Sequence, residues 1–185
     1  MVKSEAGMQR TRTAILDAAA RVLGRRPDAA LAEISDEAGV GRATLYRHFP
    51  TREALLRGVA ETGIAELAKA FETADLDELP VDRAITRIVA VFLRNGAKYA
   101  AVISQADQYC DPADVERTAR PIREVIARGV REQVLRDDLR EDILFAMFSA
   151  IVERALWLAI GESMTPEETA EAAVAIFLGG ARRPG

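Results

Sequence analysis

Apolar residues in this chain recur at intervals of three and four, and no stretch alternates apolar with polar in the manner of a half-buried strand. Ile15, Leu16, Ala19, Val22 and Leu23 form one such stripe, and Leu55, Leu56, Val59, Ile64, Leu67, Ala68 and Phe71 form a longer one. A chain patterned this way throughout folds as an all-α protein, because only a helix gathers a 3.6-residue period onto one buried face.

Breaks in the pattern set the expected elements. Gly24 and Pro27 close a first helix over about 12–24, and two short helices follow over about 31–38 and 42–48. Pro50 stops the chain and Thr51 N-caps a helix of about twenty-four residues, roughly 36 Å long, which ends at the acidic break before Pro80. Beyond Pro80 a helix runs to Asn95-Gly96, and a further segment passes through Tyr99, Val102 and Ile103. Asp111-Pro112 reads as an N-cap followed by proline at the first helical position. Pro121 either kinks that helix or begins another. An apolar helix over 142–160 comes next, then Thr165-Pro-Glu-Glu168, a capping box that opens a last helix ending at Gly179-Gly180.

Composition narrows the class. Hydrophobic residues make up 49% and charged residues 29% of 185, the balance of a folded globular chain. No run of about 18 apolar residues stands out as a membrane span, and residues 1–9 lack the apolar core of a secretory signal. A single cysteine, Cys110, excludes an internal disulfide, and the expected compartment is the cytoplasm. His48 is the only histidine, so neither a metal-ligand set nor a His-assisted nucleophile is available; no metal, cofactor or catalytic residue is expected.

The charge is unevenly spread. Residues 1–60 hold ten Lys/Arg against seven Asp/Glu, a net +3, which leaves −7 of the chain total of −4 for the rest. The first part therefore suits a polyanionic partner and the second does not. Within the first part, two short helices joined by a turn containing Gly39 form a helix-turn-helix pattern. Ile34, Ala38, Val40 and Leu45 fall on its inner side, leaving Arg42, Thr44, Tyr46 and Arg47 outward, with His48 and Arg52 at the far end. Guanidinium forks and hydroxyls suit phosphate oxygens and base edges, so the candidate partner is double-stranded DNA.

These residues carry a resemblance. Arg12-Thr-Ala-Ile-Leu-Asp-Ala-Ala, Ala38-Gly-Val-Gly-Arg-Ala-Thr-Leu-Tyr-Arg-His-Phe and Thr51-Arg-Glu-Ala-Leu resemble the N-terminal domain of the TetR family of bacterial transcriptional regulators, over about residues 10–56. The resemblance implies a DNA-binding domain over 1–50, linked by a long helix from 51 to an effector-binding and dimerisation domain over 51–185. It also implies a homodimer, a palindromic operator and a small-molecule effector. Thr44, Tyr46 and His48 match the family's DNA-facing positions, Arg52 stands where a lysine commonly contacts phosphate, and Arg42 stands where bases are often read. Gly41, Ser35 and Ala30 depart from the family pattern: Gly41 and Ala30 replace Ser/Thr caps, and Ser35 replaces an alanine.

The remaining expectations concern the second part. Phe71, Phe92, Tyr99, Ile103, Tyr109, Ile126, Phe148 and Trp157 are candidate walls of a site for a largely apolar effector. The helices over 142–160 and 166–178 present more apolar surface than one copy covers, giving Phe145, Phe148, Ile151, Ala173, Ile176 and Phe177 as candidate dimer contacts. The function expected is a homodimeric repressor released by its effector. The alternatives are a helical ligand carrier or enzyme acting through the second part, or a transcriptional activator.

Overall fold

A computed structural model describes residues 2–96, 100, 106–161 and 164–182. Among these residues the elements are α1 (Val2–Arg25), α2 (Leu31–Glu37), α3 (Arg42–His48), α4 (Arg52–Glu72), a 3₁₀ turn (Leu76–Glu78), α5 (Val81–Gly96), α6 (Ala106–Tyr109), α7 (Pro112–Arg131), α8 (Glu141–Ile160) and α9 (Pro166–Ala181). The one strand-like pairing among them is an isolated antiparallel bridge, Leu135 with Arg182. The all-α expectation therefore stands.

The chain forms two compact units, 1–63 with 98–110, and 64–97 with 111–185. The first unit takes in the start of α4 as well as the residues before 51, because Leu55, Val59 and Ala60 are fully buried. At Gly58 an added Cβ would lie 3.0 Å from Phe49 and 3.1 Å from Leu16, so α4 packs here tightly enough that any other residue makes those side chains give by a few tenths of an ångström. Ile15, Ala19, Leu23, Ile34, Leu45 and Phe49 complete the core.

The second unit packs α5, α7, α8 and α9 against one another. Ile85, Ile88, Ile126, Phe148, Val152 and Phe177 are buried between them. At Gly129 a Cβ would stand 2.7 Å from Leu135 and 3.0 Å from Val81, so α7 packs here with no room for a side chain. Arg128 beside it donates to the carbonyls of Leu76, Asp77 and Leu79 at 3.0, 2.8 and 2.9 Å, fixing the 3₁₀ turn to α7.

Several local expectations meet their outcome here. Asp111 Oδ1 accepts from the Ala113 amide at 2.8 Å, the cap anticipated for α7. Thr165 and Glu168 satisfy each other's backbone amides at 3.2 and 2.8 Å, the reciprocal box anticipated for α9. Pro121 neither starts nor ends a helix, since α7 runs through it. α9 also runs through Gly179-Gly180 to Ala181, and the bridge at Arg182 follows its end. α1 begins at Val2, ten residues before the start expected at about residue 12, because its first turns are polar and carry no periodic signal. Finally, Glu141–Ile160 has a mean hydropathy of 1.9 and is long and apolar enough to span a bilayer, a correction to the expectation that no such segment exists. Scattered polar residues interrupt its apolar run and hide that length. One side of this helix is instead covered by its neighbours, with Leu144, Phe148, Val152 and Leu156 buried.

Candidate nucleic-acid interface

The turn between α2 and α3 is built by its backbone. The amide of Val40 donates to the Ser35 carbonyl at 3.0 Å and that of Gly39 to the Asp36 carbonyl at 3.1 Å, in the manner of a Schellman ending. Gly39 sits at φ +65°, where a side chain would be strained. Gly41 then N-caps α3 in extended conformation, its carbonyl accepting from Thr44 and Leu45 at 2.9 and 3.1 Å. Glycine supplies no side-chain cap there, in keeping with the missing hydroxyl.

Seven residues make an intrinsically marginal helix, so α3 depends on packing. Leu45 and the following Phe49 are buried, and they orient the whole element. With Leu45 inward, Arg42, Ala43, Tyr46 and Arg47 are exposed and Thr44 and His48 half-buried. Tyr46 is 50% exposed, an unusual position for an aromatic ring without a partner to cover it. The structure thus brings Arg42, Tyr46 and Arg47 together on one solvent face, with Thr44 and His48 at its margin. His48 Nε2 is buried and makes no hydrogen bond among the described residues.

Arg52 takes a role that no sequence pattern announces. Its guanidinium donates to the Ala29 carbonyl at 2.5 Å and the Pro27 carbonyl at 2.6 Å, tying the start of α4 to the loop before α2. Three of its five N–H groups remain for other acceptors. Ala30, lacking a hydroxyl, leaves the N-cap of α2 to Glu33, which accepts from the Ala30 amide at 3.3 Å and pairs with Arg26. An acid three residues after the cap was the readable signal for this half of a capping box. Arg21 pairs with Glu37 at 3.1 Å, and Arg12 lies 4.6 Å from the centre of the Phe49 ring; no local pattern announces these two pairings either. Buried Ser35 turns its hydroxyl back onto the Ala32 carbonyl at 2.7 Å, which explains how this unit tolerates it.

The candidate effector residues take different places among the described elements. Phe71 packs edge-on against Phe92 with centroids 5.5 Å apart, Ile126 is fully buried, and Phe148 packs against Phe177 at 4.9 Å. Trp157 is half-buried. Tyr109 belongs to the first unit, and Tyr99 and Ile103 lie outside the described residues.

The candidate dimer residues divide. Phe148, Ala173 and Phe177 are core of the single chain and are corrected as contacts: adjacent helix positions differ by about 100°, and the core took these. Phe145 is half-buried with the Arg123 guanidinium 3.8 Å from its ring centre, and Ile151 is half-buried. Ile176 is 65% exposed, and with it Met147 and Ile143, which the apolar pattern did not single out, are 55% and 41% exposed.

Comparison with known proteins agrees with this geometry. The family model for bacterial regulatory proteins of the tetR family matches residues 15–59, from the α1 core stripe to the buried start of α4. The chain is 43% identical over 105 residues to the HTH-type transcriptional repressor LfrR of Mycolicibacterium smegmatis, an alignment spanning 56% of this chain and 55% of that protein. It is 24% identical over 143 residues to the HTH-type transcriptional regulator NfxB of Pseudomonas aeruginosa, covering 75% and 76%. The crystal structure of LfrR from Mycobacterium smegmatis in complex with proflavine superposes with a TM-score of 0.78 at 31% identity, over 93% of this chain and 96% of that one. These relatives are transcriptional regulators. With its turn, its buried Leu45 and its outward Arg42, Tyr46 and Arg47, the chain belongs to the TetR family of regulators.

Proposed function

We propose that this chain is a transcriptional repressor that binds a palindromic double-stranded operator as a homodimer and leaves it when a small, largely apolar effector binds. The observation that carries the reading is the solvent face of α3. A helix held by Leu45 and Phe49 offers Arg42, Tyr46 and Arg47 together, none of them paired with an acid among the described residues. In this reading Tyr46, Arg47, Thr44, His48 and the free donors of Arg52 grip phosphates, while Arg42 reads base edges. Gly41 leaves open space at the start of the helix for the duplex backbone.

The rest of the proposal has separate supports. The exposed Ile143, Met147 and Ile176 favour closure of α8 and α9 against a second copy, and a two-fold pair places recognition helices in successive major grooves about 34–36 Å apart. Repression follows the name of LfrR, and binding of a small molecule follows its complex with proflavine. The bound effector shifts the operator equilibrium only by its differential affinity for the two states.

Operator selection from random DNA followed by fluorescence anisotropy tests the proposal. Arg42→Ala is expected to lose sequence discrimination, by about 1–3 kcal/mol for a bidentate base contact, and Tyr46→Ala to weaken specific and random duplex alike. Unchanged binding by both variants would overturn the assignment of α3. For any genuine effector, operator and effector must weaken each other by the same factor.

A further inference from the structure

We propose that a cleft between the end of α4 and α5 binds a small organic dianion, two carboxylate or phosphate groups joined by a short apolar body. The cleft, about 460 Å³, lies wholly within the second unit and has the size of a small-molecule site. Lys69 on α4 and Arg87 and Arg94 on α5 line it, together with the polar side chains of Thr73 and Asn95. None of the three cations forms an ion pair among the described residues. The only acid in the lining is Glu66, which is already engaged.

The charge balance makes this grouping significant. Residues 64–97 and 111–185 together hold fourteen Lys/Arg against twenty Asp/Glu, a net −6. Many arginines of this unit are tied to acids or carbonyls: Arg117 to Asp114, Arg120 to Glu124, Arg123 to Glu116, Arg136 to Asp138 and Arg128 to the 3₁₀ turn. Three unpaired cations facing one cleft in an acidic unit repel one another, and an anion seated between them relieves that repulsion.

Spacing specifies the ligand. Arg87, Val91 and Arg94 follow the i, i+4, i+7 spacing of one helix face, and seven residues advance about 10 Å along the axis. Each guanidinium presents a planar fork that matches one carboxylate or phosphate, and Lys69 adds a point charge from the opposite helix. Between the forks the floor is apolar, with Ala74 and Val91 each 3% exposed. Two anionic heads separated by a short hydrocarbon body complement this arrangement, whereas a compact single anion reaches one fork only. None of the candidate effector residues lines this cleft, and the inference does not depend on DNA binding.

Isothermal titration of the 185-residue chain with suberate, and separately with hexane bisphosphonate, tests the site and distinguishes the two head-group chemistries. Binding of at least one probe is expected at millimolar concentration or below. The double variant Arg87→Ala/Arg94→Ala should lose at least about tenfold in affinity, and Arg87→Lys/Arg94→Lys, which keeps the charge and removes the fork, should lose less. Lys69→Ala provides an independent variant on the other helix and should also weaken binding. Arg131→Ala, an exposed cation away from the cleft, should stay within about twofold of the parent. Failure of both probes to bind, or a loss in Arg131→Ala as large as that in the double variant, would overturn the proposal.

Discussion

The Arg52 guanidinium directs two N–H groups at the Ala29 and Pro27 carbonyls and keeps three for a ligand, so one side chain serves both the fold and the proposed interface. Arg52→Ala is therefore expected to lower the urea midpoint as well as DNA affinity, by about 1–2 kcal/mol for the abandoned carbonyls. Arg52→Lys keeps the charge but cannot reproduce the fork, so it should retain the salt dependence of DNA binding while recovering only part of the stability. Gly39→Ala should cost about 1–2 kcal/mol in denaturant titration, wholly through backbone strain at positive φ, since the space around the new methyl is open. The residue scale is also where sequence reading is weakest. Arg52 and its acceptors are more than twenty positions apart, and no periodicity connects them.

Helix caps and helix faces behave differently as signals. The Thr165–Glu168 box was legible because both partners sit within four residues, and it has a pH signature. Hydrogen bonds from the Thr165 backbone and side chain hold the Glu168 carboxyl below its usual pKa. Arg136 and Arg140 lower Asp138 and Asp142 in the same way through side-chain hydrogen bonds. A depressed carboxylate contributes stability above its unfolded pKa and loses it as pH falls through the folded value. Melting temperature should accordingly decline as pH drops through and below the ordinary carboxylate range, and Thr165→Val should flatten that decline. Faces were only half legible. The pattern of α9 marks Ile176 and Phe177 alike as apolar, and only the position of α8 decides that Phe177 turns inward. Ile176→Glu should stay folded and sediment as a monomer, whereas Phe177→Glu should unfold the second unit by placing a charge in its core.

At the scale of the molecule, the helical class, the turn and the solvent-exposed face of α3 were legible in advance, because each rests on local spacing and local backbone chemistry. That Phe71, Phe92 and Phe148 are packed rings was not, since wall and core share one composition. The exposed Ile143, Met147 and Ile176 carry a consequence of another kind. An apolar face closed by a second copy makes folding a bimolecular matter, so stability belongs to a concentration and not to a sequence alone. The melting temperature should climb with the logarithm of protein concentration, and a scan of a dilution series would measure the slope; a flat series would mean that the face stays open. At the few copies per cell typical of a scarce protein, free chains would then be at their least stable. Under the proposed function, a duplex carrying two adjacent half-sites would gather a pair of them, so that the operator would act as a template on which the regulator becomes whole.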